Sequence, residues 1–546
     1  MFDRCRSAIA PAILVVACLL PAAACAQAPV PEKALESITV DELVGLLKYY
    51  SSDWFEGRAT GTPGFDMATD FLAASLAASG VAPAGPEGSY FQMIDLVRYG
   101  VSEDMGFVLR RGDSVLGPYE PAVDFEPAGG YADWELSGEA VFAGFGINSS
   151  DLGWNDYEGL DVAGKVVVVV DGFPGYGTDE TPLGDYRTVT RALRLSAKVQ
   201  MARDAGASGI IRVPHPRVPE MTQIRAMERI TQMSGRLQLL EQVSATTTFP
   251  QVTVSTKVSQ DLFGAGVLEA AVSEMEQQSR SRRLPISGIA VSAYARMNRQ
   301  IVPTQNVVAM IEGTDLKDEY VVLGAHSDHV GRRGDEIYNG ADDDGSGSVL
   351  LLELAEAFAM ADVKPRRTVV FGWWAGEEIG LFGAWHYTRH PIGSLENTIG
   401  LIQMDMVGRN EEYDPRKSRG LPEETAEQNV NAVNCIGYSY SSDMQALITR
   451  ANEPVGLEVK FRYDEGTQNL VRRSDHWRFL ELGVPVAFLF TGLHPDYHEP
   501  TDTWDKINYP KMARIGQLAF RAAWELANTD SPPRINPDRL PPGGGR

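Results

Sequence analysis

Val321-Val322-Leu323-Gly324-Ala325-His326-Ser327-Asp328-His329 is the stretch from which the rest of the chain can be read. Its first half has the length and apolar composition of a buried strand, and it stops abruptly on imidazole and carboxylate side chains. Shortly after it comes Asn339-Gly340-Ala341-Asp342-Asp343-Asp344-Gly345-Ser346-Gly347, adjacent carboxylates followed by small residues that lead into an apolar helix over Val349 to Phe358. A second strand, Thr368 to Trp374, delivers Ala375-Gly376-Glu377-Glu378. Ile399 to Met404 ends on Asp405, and Val484 to Phe490 is followed by Thr491 to His498. In open α/β sheets ligands collect at strand ends. Histidine nitrogen and carboxylate oxygen are the donors that hold hard-to-borderline divalent metals. His326, Asp343, Glu378, Asp405 and His498 therefore stand out as candidate metal ligands.

Working outward, strand and helix alternate through the C-terminal half, with further elements at Asn306 to Gly313 and Met444 to Asn452, an α/β pattern with a mixed central sheet flanked by helices. Upstream, Val40 to Tyr50 and Phe65 to Ala78 have helical apolar spacing and are joined through a turn at Gly61-Thr62-Pro63-Gly64. The charges in Trp54-Phe55-Glu56-Gly57-Arg58 read as a loop ion pair packing those helices. From Tyr131 the texture changes to glycine-punctuated strands, Ala140 to Gly146 and Gly164 to Gly172, then a helix over Ala192 to Ala205, Gly206 to Ile211, a helical stretch over Glu220 to Val243, and Phe249 to Val254. The expected organisation is a leader at 1–26, a first part of the site-bearing domain at 36–130, a separate β-rich module at 131–284, the site-bearing part proper at 285–529 and a disordered tail at 530–546, rich in Pro, Gly and Arg.

With 49 basic against 73 acidic side chains, a formal charge of -24, the balance argues against nucleic acid and anionic membrane surfaces as partners and favours cationic substrates. Arg4 and Arg6, the apolar run Ala8 to Leu20 and the small residues Ala22 to Ala26 have the form of a secretory leader cleaved after Ala26, giving a periplasmic or secreted protein. Lipid attachment at Cys25 is the alternative. Cys5, Cys18 and Cys25 lie in that leader, so Cys435, read as a buried small hydrophobe, has no partner for an internal disulfide. No later apolar run is long enough to span a bilayer.

His326-Ser327-Asp328, Gly340 to Gly347, Glu377-Glu378-Ile379-Gly380-Leu381, Asp405-Met406-Val407-Gly408, Ser474-Asp475-His476 and Tyr497-His498 with Asp502-Thr503 occur in the order found in one family. On them the chain resembles the M28 family of co-catalytic zinc peptidases, a group that contains bacterial secreted aminopeptidases, and 131–284 is similar to the protease-associated domain inserted in some members. The resemblance implies a zinc-dependent exopeptidase fold and two zinc ions bridged by Asp343, with His326 and Asp405 on one and Glu378 and His498 on the other. It implies that Glu377 is the general base toward water shared by the ions, that Asp328 orients His326, and that Tyr497 donates to the oxyanion. The implied activity is removal of residues from peptides with a free N-terminus. Carboxypeptidase or glutaminyl cyclase-like chemistry on the same metals, and a non-catalytic receptor-like role, are the alternatives. His329, His386, His390, His476 and His494 read as packing or loop histidines, and His215, between prolines, as a surface residue. Asp342 and Asp344 read as caps of the following helix. Arg409, Arg472 and Arg473 are open between structural pairing and binding a substrate carboxylate.

Overall fold

In the computed structural model the apolar runs become the middle of a sheet. The structure describes residues 29–128, 132–178, 180–217, 236–244, 248–286, 288–466 and 468–539. The expected leader with its cysteines, most of the helix expected over Glu220 to Val243, and the chain from 540 onward lie outside those residues. The chain divides into two compact units, one comprising 1–59, 67–91 and 307–546, the other 60–66 and 92–306.

In the first unit, Val486–Phe490, Thr398–Met404, Leu316–His326 and Arg367–Trp374 are adjacent, parallel strands. Ala432–Ile436 lies antiparallel beside Val486–Phe490 and carries Glu458–Phe461 beyond it. On the other side, residues 307–311 pair antiparallel with Arg367–Trp374, and Ala82–Pro83 pairs antiparallel with 309–310. The central strands read as unbroken apolar runs because both faces are covered. Val321, Leu323, Val369, Phe371, Ile402 and Leu489 point into one core, shared with the helices Val40–Tyr50, Gly347–Met360 and Tyr509–Asn528. Their neighbours Val322, Val370, Leu401 and Phe488 point into another, with Phe382–Arg389 and His476–Leu480. The alternation of side chains along a strand produces this division.

Local chemistry fixes the helix ends. Thr39 accepts from the backbone N–H of Glu42 at 3.2 Å and donates to its carboxylate at 2.7 Å, which starts Val40–Tyr50. Asn508 accepts from Lys511 N–H at 3.3 Å, and Pro510 sits in the first turn of Tyr509–Asn528, where its missing N–H is harmless. Cys435 is buried, as expected. The chain after Asp530, expected to be disordered, is instead held as far as Arg539. Asn536 donates through its backbone to Tyr440 O at 2.7 Å and through its side chain to Ser439 O at 3.0 Å. Its composition gives no sign of these long-range partners.

The second unit is built on Trp134–Phe142, Val166–Val170, Gly209–Val213 and Gln251–Val254, in that order and parallel, with Phe125–Ala128 antiparallel at the end. Leu195–Asp204, Thr256–Phe263 and Val267–Gln278 are helices of this unit. Its bounds are wider than 131–284 because the long strand Phe91–Arg111 pairs with Ser114–Leu116 and Leu237–Leu239, a pairing across sequence that no local pattern announces. His215 is not a surface residue. It is 1% exposed, lies 6.0 Å from the Phe145 ring, and accepts from Arg217 N–H at 3.2 Å. Burial, with Arg217 beside it, lowers its pKa to about 4, so the ring is a neutral packing group. The flanking prolines shape the backbone but do not determine which way the ring turns.

Candidate metal centre

The parallel strands end at one edge of the sheet, and each releases a polar side chain there. His326 is the last residue of its strand, opposite Trp374 in the register. Asp405 follows Met404, Glu378 follows the turn through Gly376 after Trp374, and His498 closes the segment after Phe490. Asp343 comes from the loop between the His326 strand and the Gly347–Met360 helix. His326 Nε2 lies 3.2 Å from Asp343 Oδ1 and 3.5 Å from Asp405 Oδ1. His498 Nε2 lies 2.9 Å from Asp343 Oδ2 and 3.1 Å from Glu378 Oε2. Asp343 thus faces one group through each oxygen, and both groups are compact enough to hold a cation.

The fit to metal rests on polar atoms without partners. His326 Nε2, His329 Nδ1, Asp343 Oδ2 and Glu378 Oε1 are all buried, and none has a hydrogen-bond partner in the chain. Orphaned polar atoms are rare in folded proteins and costly to bury, and a shared cation satisfies them together. Before any cation is counted, burial drives Asp343 upward, but His329, His326 and His498 hold it well below the ordinary carboxylate range. Burial opposes a charge on His498 while Asp343 and Glu378 favour it, leaving its pKa at about 10. Such a set attracts positive charge, whether protons or metal.

Glu377 stands beside these groups, and burial followed by the Asp405 and Glu378 charges pushes its carboxyl well above the usual range, His326 acting the other way. Its backbone N–H donates to Asp328 Oδ1 at 3.1 Å. Asp328 faces His326 Nδ1, as the orienting role expected of it requires, with its backbone carbonyl at 3.0 Å and its carboxylate at 3.7 Å. Tyr497 stacks on His498 with ring centroids 3.9 Å apart and lines a pocket with Glu377, Asp405, Phe488 and Leu493.

The remaining acids are scaffolding rather than simple helix caps. Asp344 accepts from Gly347 N–H at 2.9 Å, as a cap would, but also from His326 N–H at 2.9 Å and Met406 N–H at 3.1 Å. Asp342 accepts from Gly408 N–H at 2.6 Å and Arg409 N–H at 3.0 Å, and its other oxygen lies 3.3 Å from His494 Nε2. Asp502 accepts from the backbones of Asp342 and Asp343 at 3.0 and 3.2 Å. Arg58 makes no surface ion pair. It is 1% exposed and donates to Asn339 O at 2.7 Å and Gly340 O at 2.8 Å, bracing the aspartate loop.

Of the set-aside histidines, His476 stacks on Phe488 at 4.4 Å and burial lowers its pKa to about 3, so it packs as a neutral ring. His494 is tied to Asp342. His329 is different: its Nδ1 lies 2.9 Å from Glu378 Oε1 and 3.6 Å from Asp343 Oδ2. Its place at the tip of the His326 strand was the available signal. Arg409 pairs with Asp496 at 2.9 Å and Arg472 lies over the Trp477 ring at 4.5 Å, whereas Arg473 lines the pocket.

Residues 306–523 match the model described as Peptidase family M28. The residues of the candidate metal centre lie within this matched stretch. A "Probable zinc metalloprotease" of Pyricularia oryzae is 28% identical over 265 residues, 43% of this chain and 51% of that one. "Leupeptin-inactivating enzyme 1" of Streptomyces exfoliatus is 27% identical over 250 residues, 42% of this chain and 50% of that one. This chain thus spans about half the length of these relatives. Among solved structures, an aminopeptidase from Aneurinibacillus sp. strain AM-1 is 18% identical with a TM-score of 0.48, covering 94% of this chain and 99% of that one.

Proposed function

We propose that this chain is an exported zinc-dependent aminopeptidase working with two zinc ions. One observation carries the reading: buried imidazole and carboxylate atoms without protein partners converge at a strand edge where a half-buried glutamate, Glu377, also faces the pocket. His326, Asp343 and Asp405 would hold one ion, and Asp343, Glu378 and His498 the other. When bound, such ions polarise the scissile carbonyl and lower the pKa of water. Glu377, held by Asp328 through its backbone, takes the proton of the attacking water and returns it to the leaving amine. Tyr497 donates toward the oxyanion from its stacked position on His498. Met406, Leu470, Phe488, Phe490 and Leu493 give the pocket an apolar wall, suited to an uncharged side chain. The carboxylates of Asp343, Glu377, Glu378 and Asp405 offset the charge of two zinc ions, so a substrate ammonium is accommodated beside them.

Arg473 in the same pocket favours a second reading, in which a substrate carboxylate is bound and the C-terminus is trimmed. Product analysis on matched peptides separates the two. Free peptides should lose single residues from the N-terminus, and their N-acetylated forms should react at least about tenfold more slowly, the loss of roughly one favourable polar contact. Equal rates on both, or release from the C-terminus first, would sink the aminopeptidase reading. Export is supported by the leader-like N-terminal composition and is tested by N-terminal sequencing of the mature protein, which should begin at Gln27, or at a lipid-modified Cys25.

A further inference from the structure

The geometry points to His329 as an additional protein ligand of the second metal, alongside Asp343, Glu378 and His498; this rests on the two-ion reading above. His329 is 1% exposed, and its backbone N–H donates to Arg58 O at 3.2 Å, in the segment that braces the aspartate loop. Its ring is packed over Gly340 so closely that a Cβ at that position would run into it. Gly340 also has a left-handed backbone, φ 54°, so both space and conformation favour glycine there. The ring is therefore fixed in orientation, and what it is fixed toward is informative.

Nδ1 lies 2.9 Å from Glu378 Oε1 and 3.6 Å from Asp343 Oδ2, and the His498 ring crosses it edge-on at 5.6 Å. Two donors on one tetrahedral zinc, each about 2 Å from it, stand about 3.3 Å apart. The separations of His329, Glu378, Asp343 and His498 scatter around that value, and one ligand atom from each lies within 4.8 Å of all the others. His329 Nδ1 is within hydrogen-bonding reach of Glu378 Oε1, but the same carboxylates of Glu378 and Asp343 also face His498 Nε2. Two imidazole nitrogens and two carboxylates turned toward one point are satisfied together by a shared cation.

The consequence is an asymmetric pair of sites: His326, Asp343 and Asp405 would give one ion three protein ligands, and His329, Asp343, Glu378 and His498 would give the other four. The second site should therefore bind more tightly and empty last on dialysis against a chelator.

X-ray absorption at the zinc edge on the wild-type protein loaded with two zinc ions tests this without any variant. Scattering from imidazole should correspond to His326, His329 and His498 together, an average of about one and a half rings per zinc. An average of one ring per zinc would overturn the assignment. Calorimetric zinc titration of the apo protein should show that His329→Ala and His329→Gln weaken one site by at least about tenfold and leave the other unchanged. His326→Ala should weaken the complementary site. Circular dichroism of the apo variants guards against misfolding. Unchanged affinities at both sites in both His329 variants would also overturn the inference. Wild-type protein that takes up only one zinc would instead refute the two-ion reading, and this inference with it.

Discussion

Asp343 in the first unit and Asp156 in the second are both buried carboxylates near parallel strand ends, yet they are opposites. Asp156 takes Phe145 N–H and Ile147 N–H at 3.0 Å on one oxygen, and Trp154 Nε1 at 2.9 Å and Ser281 Oγ at 2.6 Å on the other. Its hydrogen-bonding capacity is used inside its own unit. Asp343 has Oδ2 without a hydrogen-bond partner, surrounded by imidazole and carboxylate atoms in the same condition. Parallel strands with flanking helices occur in both units, so the architecture does not make the difference. A satisfied buried acid is a structural device, whereas converging unsatisfied donors mark a place built for something from outside the chain.

The largest expected effect sharpens that contrast at its centre. Glu377→Gln should lower kcat by about 10²–10⁴-fold, the range of general-base catalysis, while two zinc ions remain bound on elemental analysis. Near-normal turnover in this variant would remove Glu377 from the proton-transfer role, and loss of metal would make it a ligand instead. A chelator should abolish hydrolysis in wild type, with zinc restoring it.

Asp156→Ala probes the other side of the comparison. It leaves Phe145 and Ile147 N–H without their acceptor, each costing about 1–3 kcal/mol, so the thermal or denaturant midpoint should fall. Zinc affinity should not change. If zinc affinity falls together with stability, the two carboxylates are not independent and the contrast collapses.

A smaller, pH-dependent effect is expected at Glu353, on the Gly347–Met360 helix behind the site. Burial, then the Glu42 and Glu356 charges, raise its pKa from 4.5 to about 8. Below 4.5 the group is protonated both folded and unfolded and costs nothing. Between 4.5 and 8 the folded chain holds the proton more tightly, so stability falls as pH rises through that window, and the full penalty applies above it. Glu353→Gln should therefore raise stability at pH 9 by about 1–2 kcal/mol and change little at pH 4, as read from denaturant unfolding at the two pH values. An equal gain at both pH values would show that packing, not charge, is responsible.

Local pattern was enough for the elements that carry the centre. Val40–Tyr50 has the bounds expected of it, and Thr398–Met404, Arg367–Trp374 and Val486–Phe490 have bounds within a residue or two of the expected ones. A buried strand that stops on a carboxylate or an imidazole is an abrupt change of composition, and such changes are visible one residue at a time. The errors at His215, Arg58 and the C-terminal segment share a different cause. Each was read by the ordinary behaviour of its residue type in a loop, and each is decided by a partner far away in sequence. His215 meets Phe145, Arg58 meets Asn339 and Gly340, and Asn536 meets Tyr440.

By itself, then, the sequence determined the alternation of strand and helix, the acidic balance and the set of side chains brought to one edge, because these follow from short-range periodicity and composition. Only the tertiary structure decided which atoms within that set lack partners, that Asp343 presents one oxygen to each group, and that His329 belongs among them rather than with the packing histidines. Burial and hydrogen-bond satisfaction are properties of the space between distant segments, and a side chain's surroundings do not exist until the chain has closed around it.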